Sequence, residues 1–166
     1  VMHGAPHFNE ALVRWLNDHP WQGIFTTDRS FRVLAWNRWL EDRSGLSSAN
    51  VVGSNLFDLF PELVARGFDS FYKCVLDGQS IALSQRFHGY LLRMPAPTEV
   101  SIDHMHQTAH IAPLFTDEAV LGTVTLIEDV SEHLYRIDRM MFHLTASENV
   151  RAARQIRLGR VSDIPK

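Results

Sequence analysis

The chain contains a single cysteine, Cys74, which excludes an intrachain disulfide and a structural zinc site built from cysteines. It lacks any apolar run close to the roughly 20 residues that a membrane-spanning helix needs. Residues 1–22 carry polar residues such as Glu10 and Arg14, with no apolar core of a secretory signal peptide. The net charge of −3 provides no electrostatic basis for binding nucleic acid or an anionic membrane. We therefore expect a soluble cytoplasmic module.

Motifs that carry catalysis are also missing. The sequence contains no nucleophile elbow, no Gly-rich phosphate loop and no HExxH motif. Residues 103–106, Asp-His-Met-His, lie beside a proline-rich connection, and we interpret them as a solvated loop. We predict that the chain is not an enzyme and holds no metal site.

The most informative stretch that is present runs from Gly122 to Glu132. Val124 and Ile127 supply apolar, β-branched character, so this stretch is predicted to begin as a strand. Asp129 or Ser131 can then accept a hydrogen bond from a free N–H at the start of a following helix. A strand that leads directly into an outgoing helix forms a mechanical connection, and we expect the function to depend on what it transmits.

Hydrophobic periodicity predicts short strands and helices in the rest of the chain, whose 166 residues suit one domain with helical extensions. Strands that are segregated from helices indicate an α+β domain with a five-stranded antiparallel sheet and helices on one face. The predicted elements are an N-terminal helix ending at His19-Pro20, a hairpin of strands at 23–27 and 31–36, a short helix capped by Asn37 and ended by Gly45, a short turn at 56–60, one longer helix at 62–76, and strands at 80–94, 104–115 and 120–129.

Six short segments, in this order, resemble the signature of the PAS domain. They are Gly-Ile-Phe-Thr-Thr-Asp at 23–28, Trp-Asn at 36–37, Val-Gly at 52–53, Leu-Phe-Pro at 59–61, Ile-Ala-Pro-Leu at 111–114, and Gly122 with Glu-Asp-Val-Ser-Glu at 128–132. The resemblance implies a PAS fold over residues 22–132, a flanking helix over 1–21 and a signalling helix or linker over 133–166. It also implies a cradle between sheet and helices that senses a ligand, cofactor or partner. Asp129, Ser131 and Glu132 then resemble the family's junction between the last strand and the signalling helix.

The resemblance also directs the choice of cofactor. Light-oxygen-voltage flavin domains carry a reactive cysteine in the short helix, where this chain has Leu56, so flavin-adduct photochemistry is excluded. Haem-binding members commonly take an axial histidine from segments that correspond to 56–60 and 62–78, and neither segment contains one. His88 is the histidine that an approximate alignment directs inward. We expect either no cofactor or a small organic ligand; haem stays an open alternative, and flavin is less favoured.

The alignment also orients the fourth strand. It directs Gln107, Ala109 and Ile111 toward the cradle and leaves His106 and His110 on the outer face, as surface or interface residues rather than a metal pair. The candidate lining residues combine an aromatic wall with a few polar groups, as a ligand cavity requires. The same aromatics could simply fill the core, so both interpretations stay open. The candidates are Phe25, Thr27, Trp36, Phe57, Phe60, Phe71, Val75, His88, Gln107, Ala109, Thr125 and Ile127.

Apolar stripes on the two flanking helices predict contacts between copies of the chain. In the C-terminal segment the spacings of 3, 4 and 3 resemble a heptad seam, and the alternative is a helix packed on its own domain. The predicted seam residues are Leu12 and Trp15 in the N-terminal helix and Leu134, Ile137, Met141 and Leu144 in the C-terminal one.

These observations lead to one main hypothesis and two alternatives. The chain is predicted to be the PAS sensory domain of a cytoplasmic signalling protein, a homodimer with a kinase or cyclase effector outside this chain. The alternatives are a ligand-free dimerisation or relay module and a haem-based gas or redox sensor. We interpret Arg151, Arg154, Arg157 and Arg160 as a solvated face or tail, and we expect neither membrane nor nucleic acid as a partner.

Overall fold

The computed structural model describes residues 6–98, 102–117, 119–142 and 145. Within these ranges no helix is long and apolar enough to cross a membrane. The elements are α1 (Pro6–Asn17), β1 (Gly23–Asp28), β2 (Val33–Trp36), α2 (Arg38–Ser44), α3 (Ser48–Val51), α4 (Leu56–Leu59), α5 (Pro61–Ala65), α6 (Phe68–Leu76), β3 (Ile81–Leu83), α7 (Gln85–His88), β4 (Gln107–Phe115), β5 (Val120–Asp129) and the helix α8 over residues 131–142.

The five strands form one antiparallel sheet in the order β2-β1-β5-β4-β3. The last strand in the chain, β5, therefore lies in the middle and is hydrogen-bonded to β1 on one side and to β4 on the other. The α+β class and the five-stranded antiparallel sheet are confirmed. Because β5 is central, the strand that ends just before α8 is hydrogen-bonded to both of its neighbours.

The turn between β1 and β2 is longer than predicted. The Asp28 carboxylate accepts hydrogen bonds from the backbone N–H groups of Ser30 (2.8 Å) and Arg32 (2.9 Å). Phe31 adopts a positive φ of 61°, which is incompatible with an extended strand. As a result β2 begins at Val33 and not at the predicted position 31.

The short helix α2 is capped as predicted. The side chain of Asn37 accepts a hydrogen bond from the N–H of Leu40, and Gly45 ends the helix in the left-handed conformation with φ 74°. Asn37 also accepts a hydrogen bond from the N–H of Ile24 (3.0 Å) and donates one to the carbonyl of Gln22 (2.9 Å). One side chain thus fixes both the start of α2 and the start of β1.

The single helix predicted over 62–76 is wrong. The structure has two helices, α5 and α6, separated by Arg66 and by Gly67, which has φ 77°. A left-handed residue cannot continue a right-handed helix, and glycine adopts it without a steric penalty. The apolar spacing alone did not show this break.

The strand predicted over 80–94 is also wrong. Only Ile81–Leu83 is extended; the helix α7 follows, and residues 89–98 run without regular secondary structure. The strand predicted over 104–115 begins at Gln107. Met105, expected in a solvated loop, is fully buried, and its N–H donates to the carbonyl of Met94 (2.9 Å). Residues 89–98, the irregular segment, therefore contribute to the core.

Candidate ligand cradle and signalling junction

The inner face of the sheet is built by alternation along three central strands. In β1, in residues 107–111 of β4 and in residues 123–127 of β5 every second residue is buried, as the period of two requires. The register places Phe25 opposite Thr125, and Thr125 opposite Ile111. The predicted residues on this face are all buried and share it: Phe25, Thr27, Gln107, Ala109, Thr125 and Ile127.

The opposite wall is aromatic and comes from the helices and the segments between them, with Trp36 at the end of β2 beside it. Trp36 contacts Phe25 with ring centroids 5.5 Å apart and stacks on Phe60 at 6.0 Å. Phe57 on α4 meets Tyr72 on α6 edge-to-face at 5.8 Å. Trp36, Phe60 and Val75 are buried, while Phe57 and Phe71 are partly buried and pack against the same core. Wall and sheet therefore form one continuous apolar cluster.

Tyr72 carries the main polar contact across the cradle. Its hydroxyl lies 3.1 Å from Oγ1 of Thr125, and both side chains are fully buried. Burial raises the pKa of Tyr72, so the phenol stays neutral, and the hydrogen bond with Thr125 opposes the shift only in part. Tyr72 was not among the predicted lining residues. The signal in the sequence was its spacing from Phe68 and Val75, which predicts a core position and does not distinguish a tyrosine that bonds across the cradle.

A second polar pair joins β1 to β5, two residues along β5 from Thr125. Oγ1 of Thr27 is 2.8 Å from Oγ1 of Thr123, and both residues are buried. Each hydroxyl thereby has a hydrogen-bond partner inside the cluster, which buried polar groups require.

Gln107 fixes the irregular segment to the sheet. Its Oε1 accepts hydrogen bonds from the N–H groups of Leu91 (2.9 Å) and Leu92 (3.2 Å), and its Nε2 donates to the carbonyl of Leu92 (2.7 Å). All three residues are buried. Gln107 points inward as predicted, where it binds backbone of the same chain.

His88 lies at the end of α7, outside any strand. Its ring is 6.1 Å from the rings of both Phe68 and Phe71, and its Nδ1 lies within hydrogen-bond distance of the Ser84 backbone. Nε2 is therefore the nitrogen that could ligate a metal. Among the residues that the structure describes, no group of three or more His, Cys, Asp or Glu side chains is arranged to hold an ion.

The junction between β5 and α8 is held by three hydrogen bonds. The Asp129 carboxylate accepts from the N–H of Ser131 (3.0 Å), as a helix-start acceptor should. The hydroxyl oxygen of Ser131 accepts from the N–H of His106 (2.8 Å), and the carbonyl of His106 accepts from the N–H of Val130 (2.9 Å). The start of α8 is thus tied to the residue immediately before Gln107.

Charged contacts surround this junction. Arg43 on α2 lies 3.8 Å from the Asp129 carboxylate, and Glu132 pairs with Arg136 one turn along α8. A groove of about 630 Å³ runs beside them and is open to solvent, in contrast to the buried cradle. It is lined by Pro20, Trp21, Trp39, Asp42, Arg43, Pro95, Ala96, Pro97, Thr98, Asp129 and Glu132.

The predicted seam residues lie on exposed helix faces. Leu12 and Trp15 on α1 are 45% and 58% exposed, and Ile137 and Met141 on α8 are 43% and 59% exposed. Leu134 is partly buried. Leu144 lies outside the described residues, as do Arg151, Arg154, Arg157 and Arg160.

Two histidines were predicted on the outer face of β4, and the structure agrees for one of them. His110 is exposed there, as expected. His106, just before the strand, is instead partly buried, and its Nδ1 is a buried atom without a hydrogen-bond partner among the described residues.

Comparison with known proteins agrees with this architecture. The family model described as the PAS fold matches residues 18–133, and the chain belongs to this family. No curated protein matches the chain in sequence.

Solved structures with low sequence identity share the fold. A sensory box sensor histidine kinase from Vibrio cholerae is 17% identical with a TM-score of 0.50, over 75% of this chain and 94% of that one. The PAS domain of Bordetella pertussis BvgS is 16% identical with a TM-score of 0.55, over 84% and 98%. The phage VqmA–DPO complex is 19% identical with a TM-score of 0.56; the match covers 83% of this chain and 60% of VqmA.

Proposed function

We propose that this chain is the PAS sensory domain of a cytoplasmic signal-transduction protein, without catalytic activity of its own. It binds a small organic ligand in the cradle and relays the change through β5 and the junction to an effector of kinase or cyclase type. The observation that carries this proposal is the hydrogen bond between Tyr72 and Thr125, which joins the helical wall to the central strand. Thr125 lies four residues before Asp129, where β5 ends.

The relay requires a contact inside the cradle that a bound ligand can replace. A ligand with one hydrogen-bonding group can take the place of Tyr72 or of Thr125, and this exchange would alter how α6 is held against β5. Apolar packing around the pair would favour a mainly apolar molecule. The ligand shifts the relay only if it binds the two arrangements with different affinity.

A second candidate, a ligand-free dimerisation or relay module, is favoured by the self-sufficiency of the cradle. Tyr72 bonds Thr125, Thr27 bonds Thr123, and Gln107 bonds backbone, so these polar side chains already have partners. In that case the input would arrive from a neighbouring domain or a second copy.

The content of the cradle can be measured directly. Native mass spectrometry of the full chain, followed by release under denaturing conditions, should reveal a small molecule bound at one per chain. Tyr72→Phe and Thr125→Val remove one hydroxyl each and should lower its occupancy several-fold, whereas the matched control Thr108→Val lies on the other face of the sheet and should not. A chain that carries no molecule and binds none from a ligand library would favour the ligand-free module.

An absorption spectrum of the same sample addresses the remaining cofactor alternatives. A Soret band that disappears in His88→Ala would favour a haem sensor, and flavin bands would favour a flavin sensor without adduct chemistry. A flat visible spectrum is the result that the organic-ligand proposal expects.

We also propose that the domain acts as a homodimer through its flanking helices. The support is that Leu12, Trp15, Ile137 and Met141 on α1 and α8 are exposed among the described residues, and burial of such area is the main driving force for association. Trp15→Glu should convert the dimer to a monomer in light scattering. Phe87→Glu, at an exposed aromatic outside these helices, is the control that should leave the mass unchanged.

A further inference from the structure

A row of titratable and cationic side chains leads from the helical wall to the junction. The guanidinium of Arg66 lies 4.2 Å from the Tyr90 ring and donates hydrogen bonds to the carbonyls of His88 and Tyr90. Tyr90 contacts the ring of His104 at 4.8 Å, and His104 contacts the ring of His106 at 5.7 Å. The row ends at His106, whose backbone N–H and carbonyl hold the start of α8.

His106 is the link between this row and the output helix. Its N–H donates to Ser131 and its carbonyl accepts from Val130, so movement of this one residue affects both bonds. Its ring Nδ1 is buried, with no hydrogen-bond partner in the described part of the chain. No hydrogen bond at that atom therefore holds the His106 ring in place, and a buried polar atom without a partner costs free energy.

The surroundings of His104 disfavour its protonation. Burial, followed by the neighbouring His106, Arg93 and Arg66, holds the pKa of His104 below its ordinary value, and only Asp103 acts in the opposite direction. On the junction side, Asp129 is engaged by the N–H of Ser131 and lies near Arg43. A His104 imidazolium would therefore face Arg93 and Arg66, with Asp103 as the opposing carboxylate.

We propose that His104 and His106 form a pH-sensitive latch, in which protonation of His104 displaces the His106 ring that it contacts, releases His106 from Val130 and Ser131 and frees the start of α8. The idea that this release acts as an output signal rests on the proposed relay function. The latch itself needs no bound ligand.

The direction of the pH effect follows from linkage. Because the pKa of His104 is lower in the folded state, the folded latch binds fewer protons than the open chain, so low pH favours opening. The latch is fully closed above the ordinary histidine pKa of about 6.5 and loosens as the pH falls below it.

Hydrogen exchange of the full chain, resolved at single amides by NMR, tests this proposal. Protection factors of the His106 and Val130 amides, corrected for intrinsic exchange, should fall several-fold between pH 7.5 and 5.5, because protonation of His104 favours opening. The amide of Thr125 in the centre of the sheet should keep its protection. Protection that does not depend on pH would overturn the proposal.

Variants separate the latch from general acid destabilisation. His104→Gln and His106→Gln, alone and together, should remove most of the pH response, and His110→Gln on the same part of the chain should retain it. A response that survives in the double variant would overturn the proposal. If the double variant does not fold, the titration of the His104 ring in the intact chain decides: a midpoint at or above the ordinary value contradicts the latch. If no ligand is found in the cradle but the pH response is intact, the proposed function is contradicted and the latch is not.

Discussion

The cradle around Thr125 and the junction around Ser131 lie on the same strand, yet different forces hold them. The cradle is an apolar cluster in which Tyr72, Thr27 and Gln107 make neutral hydrogen bonds with buried partners. The junction is held by backbone hydrogen bonds from His106 and by the carboxylate of Asp129. The cradle should therefore respond to shape and ligand chemistry, and the junction to charge. One strand combines both responses because β5 is the central strand.

The largest effect should come from opening a cavity in the cradle. Phe25 is fully buried against Trp36 and faces Thr125, so Phe25→Ala should lower the free energy of unfolding by about 3–5 kcal/mol. Urea unfolding followed by circular dichroism measures this change. Leu34→Ala on the exposed part of β2 is the control, and a similar loss in both variants would contradict the description of Phe25 as a core residue.

A smaller and more local effect is expected at the junction. Ser131→Ala removes the acceptor of the His106 N–H, and one hydrogen bond of this kind contributes about 1 kcal/mol. The loss should appear as faster exchange of the His106 amide, with most of the global stability retained. Ser70→Ala, on an exposed part of α6, serves as the matched control. An unchanged His106 amide would show that the side chain of Ser131 does not hold the strand.

The smallest effect should come from the ion pair beside the junction. The Arg43–Asp129 pair is 3.8 Å long, and Arg43 is 41% exposed, so solvent screens the interaction. Arg43→Met should cost less than about 1 kcal/mol, and the cost should shrink further in high salt. Denaturant unfolding at low and high ionic strength checks this. A loss as large as that of Phe25→Ala would mean that charge dominates the junction more than its geometry indicates.

The sequence predicted the regular parts of the fold and missed the irregular ones. The resemblance to the PAS signature, together with the period of two along each strand, placed Phe25, Gln107, Ala109, Thr125 and Ile127 on one inner face. The same patterns misassigned residues 80–94, because the backbone there is held by the side chain of Gln107, a long-range contact that local periodicity does not encode.

The site was predictable to a similar extent. The junction residues Asp129 and Ser131 followed from their helix-capping chemistry, since such chemistry is local. Tyr72 was missed as the partner of Thr125, because a tyrosine in an apolar helix stripe has the same spacing as any core residue. His106 was placed on the outer face, and its burial depends on the path of residues 89–98.

The most direct test of the relay is hydrogen exchange over residues 130–136 in the full chain. If the cradle is coupled to the junction, Tyr72→Phe and Thr125→Val should alter exchange at the start of α8, although neither residue contacts it, and Thr108→Val should not. Identical exchange at the start of α8 in all four proteins, with the cradle variants folded, would contradict the account.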